Sequence, residues 1–134
     1  MIACWAQSCH PPYQLNGLGG VELKAQLNES ATAEKIAAAL PIEGRAQRWG
    51  EEIYFAIPVQ ADLEPDAREE VEVGEMGYWP TGNAFCLFFG PTPASSSDKP
   101  RAASAVNILG RFEGDLAALC EVENGKAVTI EVMD

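Results

Sequence analysis

Ala84-Phe85-Cys86-Leu87-Phe88-Phe89-Gly90-Pro91-Thr92-Pro93 is the stretch that decides the fold. Six apolar residues run without a polar interruption and stop at Gly-Pro. A run this short and this continuous reads as a strand buried on both faces, or enclosed in a tight barrel. Working upstream, Pro80-Thr81-Gly82-Asn83 is turn chemistry, and residues 76–79 form the short strand before it. Glu52-Ile53-Tyr54-Phe55-Ala56-Ile57 is β-branched and aromatic and closes at Pro58. Residues 42–49 form a strand ending at Gly50, and residues 21–27 alternate apolar and polar as a half-buried strand. Between those two, Ser30 is a fair N-cap for an Ala-rich helix over residues 31–40 that Pro41 stops. Ile36, Ala37 and Leu40 would turn toward a core.

The intervening segments read as loops or edges. Residues 60–70 are polar and acidic, and Glu70-Val71-Glu72-Val73 alternates up to Gly74. Downstream, residues 94–105 form a Ser/Pro/Asp-rich loop, 106–112 a strand, 116–120 a short helix and 127–133 a last strand after the Asn124-Gly125 turn. Strands interrupted by tight turns favour an antiparallel barrel or sandwich over a doubly wound sheet. The chain of 134 residues is one domain by length, 21–134, preceded by an arm over residues 1–20 whose Pro pair and Gly cluster suggest loose order, with room for a short strand at its end.

Charge narrows the partners. Nine basic against twenty acidic residues leave a net −11. That surface repels phosphate backbones and anionic bilayers, so neither nucleic acid nor a membrane is an expected partner. No apolar run reaches membrane-spanning length, and the first residues lack the basic and apolar regions of a signal peptide. A cytoplasmic protein with reduced thiols is the expectation. Cys4, Cys9 and His10 lack a fourth ligand at zinc spacing, so neither metal nor cofactor is expected. Cys86 and Cys120 read as buried small hydrophobes. The acidic residues from Asp62 to Glu75 lack calcium-loop spacing and read as a solvated loop. The Gly-Pro-Thr-Pro segment is a strand terminator or a pocket lid, not a phosphate cradle. With its one His in the arm, the chain offers no Ser/His/Asp set, although carboxylate acid–base chemistry stays open.

Four words in one order carry a resemblance: Gln47-Arg48-Trp49-Gly50-Glu51-Glu52-Ile53-Tyr54-Phe55, Gly77-Tyr78-Trp79-Pro80-Thr81-Gly82-Asn83-Ala84, Cys86-Leu87-Phe88-Phe89-Gly90-Pro91-Thr92-Pro93 and Val106-Asn107-Ile108-Leu109-Gly110-Arg111. They resemble the stand-alone cyclophilin-like family of bacteria and archaea. The resemblance implies a mainly β fold, a closed antiparallel cyclophilin-like barrel with one or two short helices. It also implies a prolyl-peptide groove in which Arg48 would stabilise a twisting amide and Phe88 or Phe89 would line the proline pocket. The strand Ile53-Tyr54-Phe55-Ala56 offers no Gln, and the loop before Val106 offers neither Trp nor His. The isomerase set is therefore incomplete.

Arg48, Trp49, Tyr54, Trp79 and Phe89 are the candidate ligand-binding residues. Each has a plainer reading: Arg48 as a surface strand residue paired with Glu51 or Glu52, the aromatics as core. Trp79, at a strand end beside a turn, is best placed to face a cavity. The expected function is binding of a peptide or small ligand in a groove near Arg48, Trp79 and Phe89. A weak prolyl isomerase and a non-catalytic scaffold acting through homo-oligomer or partner contacts are the alternatives.

Overall fold

The computed structural model describes residues 13–17 and 20–132. In chain order the strands are β1 (Tyr13–Gly17), β2 (Leu23–Leu27), β3 (Ile42–Arg45), β4 (Gln47–Arg48), β5 (Glu52–Ala56), β6 (Arg68–Glu70), β7 (Glu75–Trp79), β8 (Ala84–Phe88), β9 (Arg101–Glu113) and β10 (Ala127–Val132). Two helices, α1 (Ala31–Ala39) and α2 (Leu116–Leu119), complete the set. The Ser30 hydroxyl caps α1 by accepting from the Ala33 N–H at 3.2 Å, and Ile36 is fully buried against the sheet.

The strands pair antiparallel in the order β3-β10-β1-β2-β9-β7-β8-β5-β4, with β6 paired to β9 off this path. The sheet is open, and the closed barrel expected from the sequence is not formed. The reason lies in residues 42–49, where the sequence predicts one strand. Their first half pairs with β10 and their second half with β5. Ala46 between the halves still bonds to the β10 side, through Lys126 and Gly125. Where β3 nears β5, the Phe55 side chain fills the gap: a Cβ on Gly44 would lie 2.9 Å from its ring. No ladder among the described residues closes the path, whose two ends, β3 and β4, are joined by the chain through Ala46.

The arm holds the short strand that the sequence allows, and two other segments differ from the sequence reading. Tyr13–Gly17, inside the arm, is a strand held on both sides by β10 and β2, while residues 1–12 and 18–19 lie outside the described residues. The sequence predicts loop for Arg68–Glu70 and for the first residues of β9, yet the two form a ladder with each other. Polar, exposed residues carry no period-2 pattern, so this pairing had no local signal.

The two-faced burial of β8 is present. Phe85, Leu87 and Phe89 face the main core with Ile53, Phe55, Met76 and Tyr78. Ala84, Cys86 and Phe88 face a second apolar layer with Val71, Ala102 and Val106. Gly77 lets that layer close, because a Cβ there would lie 2.8 Å from Val106 Cγ2. Truncating either face should therefore cost alike. Phe85→Ala and Phe88→Ala are each expected to lose about 3–5 kcal/mol in urea unfolding. A loss below about 1 kcal/mol at Phe88 would show that the second layer is not packed.

Candidate functional site

The site lies on the outer face of β5, β7 and β8. Alternation sends Ile53 and Phe55 inward and leaves Glu52 and Tyr54 on the outer face. There Tyr54 stands opposite Cys86 of β8, and Trp79 closes β7. Trp49 is brought in by the turn between β4 and β5: Trp49 and Glu52 exchange backbone hydrogen bonds of 3.0 and 3.2 Å. Gly50, in that turn, has φ +61° and abuts the Thr92-Pro93 backbone, where a Cβ would meet Thr92 Cα at 2.8 Å. The Gly-Pro-Thr-Pro segment thus braces the turn, with Glu51 N–H donating to the Pro91 carbonyl at 2.9 Å.

Between these side chains and Ala102, Ala103 and Val106 of β9 is a cavity of about 210 Å³. Its aromatic walls are anchored. Trp79 Nε1 donates to Ser104 Oγ at 2.6 Å, and its ring covers Gly82, where a Cβ would lie 2.8 Å away. The Tyr54 hydroxyl donates to Gln47 Oε1 at 3.3 Å.

Glu52 also lines the cavity. The residue is 5% exposed, and its Oε1 has no hydrogen-bond partner. Other buried polar groups are paired. Glu75 accepts from Arg68 and from the Glu72 N–H. Asn107 donates to Thr32 Oγ1 and accepts from the Glu64 N–H, and Thr32 in turn donates to the Glu64 carboxylate. Burial pushes the Glu52 pKa up from 4.5 to about 7, slightly offset by a hydrogen bond with the Cys86 thiol. Burial first, and the Glu52 charge second, hold Cys86 well above the ordinary thiol range. Cys86 thus has one proton between two acceptors, the Glu52 carboxyl and the Ala84 carbonyl, the latter at a loose 4.0 Å.

Three of the expected residues, Trp49, Tyr54 and Trp79, line this cavity; Arg48 and Phe89 do not. Arg48 donates twice to the Gly50 carbonyl, at 3.0 and 2.8 Å, and to the carbonyls of Leu119, Cys120 and Val122 at 3.0–3.3 Å. Its guanidinium lies 5.2 Å from the ring centre of Phe89, which packs into the main core. Arg48 therefore satisfies the carbonyls left open where α2 ends. The groove joining Arg48, Trp79 and Phe89 is replaced by a pocket that excludes two of the three. Sequence reasoning did not single out Glu52, although its place two residues before Tyr54 puts both on one strand face. Cys120 is exposed, in contrast to its reading as a buried hydrophobe. Cys4, Cys9 and His10 lie outside the described residues, among which no three acidic, His or Cys side chains gather as a metal site. No helix among the described residues is long and apolar enough to cross a membrane.

A small open antiparallel β protein with an aromatic pocket on its outer face is the class that fold and site define. The cyclophilin-like family model matches residues 16–131, and the chain belongs to that family. It is similar to the hypothetical protein AF2241 of Archaeoglobus fulgidus, whose solution structure shares 38% identity over 94% of this chain and 97% of that one, with a TM-score of 0.77. No curated protein matches the sequence.

Two outcomes test this description. Arg48→Ala should cost about 2 kcal/mol and lower Tm by roughly 5–10 °C. Glu52 makes a pH-dependent contribution. Because its folded pKa is above 4.5, the unfolded chain ionises first, so stability is lost as pH rises from 4.5 to about 7 and is level above. Glu52→Gln removes this loss. Its stability relative to wild type should rise by up to roughly 3 kcal/mol across that window in urea titrations. A pH-independent difference would show that Glu52 ionises normally.

Proposed function

We propose that the protein is a binding module that takes a small ligand, free or as a peptide side chain, into the pocket of Trp49, Tyr54 and Trp79 over Glu52. One observation carries this reading: the cavity between anchored aromatic rings is lined by Glu52, a buried residue with one unpartnered carboxyl oxygen. Leaving such a group unsatisfied costs about 1–3 kcal/mol. The packing around it would be served better by an apolar residue, so the carboxyl favours a role outside folding. The cavity, about 210 Å³, is below the roughly 300–1,000 Å³ of typical drug-sized sites. That favours a ligand of few atoms. Walls fixed by Ser104, Gly82 and Gln47 reduce the ordering entropy lost on binding.

The engagement of Arg48 supports binding without prolyl isomerisation. Lowering an amide rotation barrier of roughly 18–20 kcal/mol needs a donor aimed at the twisting amide, and this guanidinium is committed to backbone carbonyls. Leu63 and Val73 are the exposed large hydrophobics among the described residues, and two such side chains give a scaffold interface little support.

The test combines a fragment screen read by tryptophan fluorescence and amide NMR shifts with exchange NMR on a proline-containing peptide. Fragment shifts should cluster at Trp49, Tyr54, Trp79 and Cys86 and vanish in Trp79→Ala. Peptide isomerisation should proceed at its uncatalysed rate. Acceleration that is lost in Arg48→Ala would restore the isomerase, and fragments mapping elsewhere would overturn the pocket.

A further inference from the structure

We propose that this pocket selects a small organic cation, an alkylated ammonium, with its charge against Glu52 and its alkyl groups against Trp49, Tyr54 and Trp79. The inference rests on the reading of the cavity as a ligand site and adds the chemical class of the ligand.

Glu52 lies in an apolar surround of Cys86, Ala102 and Val106, and no basic side chain among the described residues bears on it. Arg101, the basic residue at the start of β9, is occupied by Glu69 at 2.6 Å. An unbalanced buried carboxylate gains most from an opposite charge placed beside it in a poorly hydrated space. The walls favour the same partner. Indole and phenol faces attract cations through the ring quadrupole, and an alkylated ammonium sheds water more readily than a bare one. The net charge of −11 raises the local concentration of cations over anions. An anionic ligand would meet Glu52 with like charge.

A neutral ligand is the competitor, since a protonated Glu52 can donate a hydrogen bond to a carbonyl or hydroxyl. Titration separates the two. The groups facing Glu52 are Cys86 from β8 and Tyr54 from β5; β7 and the 49–52 turn present Trp79 and Trp49, and β9 presents alanines and Val106. The Cys86 thiol is held neutral by burial, so Glu52 is the group that changes charge near neutrality. A cation requires the ionised form, so its affinity rises with pH up to about 7, and binding below that releases a proton. A neutral acceptor shows the opposite slope.

The experiment titrates the full chain with choline and with its uncharged isostere 3,3-dimethylbutan-1-ol, by calorimetry and tryptophan fluorescence, from about pH 5 to pH 8. Choline should bind about tenfold or more tightly than the isostere at the upper end, with proton release at the lower end. Glu52→Gln should reduce choline affinity about tenfold and leave the isostere within about twofold. The pH slope of wild type is an independent readout if the variant misfolds. Equal or tighter binding of the isostere, with affinity falling as pH rises, would overturn the cation and leave the pocket standing. Binding of neither probe, with no fragment mapping to the pocket, would overturn both.

Discussion

Burial of β8 on both faces is the constraint from which the rest of the structure follows. An antiparallel strand with one solvated face needs a single apolar layer. Ala84–Phe88 needs two, and the second has to come from elsewhere in the chain. β9 supplies it. Its 13 residues are long enough to continue the main sheet at one end and to pair with β6 at the other, carrying Ala102 and Val106 over Cys86 and Phe88. The register shift between Met76 and Gly77 on the β7 ladder and the bare Cα of Gly77 fit this course, since the first redirects β9 and the second admits Val106.

The pocket is a product of the same constraint. Where the second layer is thin, at Ala102 and Ala103, the aromatic side chains of β5, β7 and the 49–52 turn stand around a gap instead of filling it. Glu52 is buried because it shares a strand face with Tyr54, opposite Phe88 in the adjoining strand. The fold thus places a carboxyl in a low-dielectric wall as a by-product of strand alternation. Its raised pKa is the electrostatic consequence, and it brings a proton-exchanging group into the physiological range without any His.

Arg48 shows how position in a strand can mislead about role. It lies beside aromatic residues, a common setting for a substrate-binding cation, yet its five donor contacts all run to main-chain carbonyls. It couples the β4–β5 turn to the end of α2, which is what positions Trp49. Its influence on the pocket is therefore mechanical, through the turn, and not through charge.

Much of the fold was legible in local pattern. The apolar run 84–89, the β-branched and aromatic run 52–57, the Ser30 cap and the Asn124-Gly125 turn each depend on neighbours a few residues apart, so the residues themselves specify them. Three pocket aromatics were legible for the same reason, as strand-end and strand-face residues. What depends on distant pairing was not. The open path of the sheet was decided by the break at Ala46, where one segment divides its hydrogen bonds between β10 and β5. The β6–β9 ladder exists because the second layer needs it. The isolation of Glu52 and the saturation of Arg48 were likewise set by which groups tertiary packing brought within hydrogen-bond reach, and a chain read residue by residue carries no record of that distance.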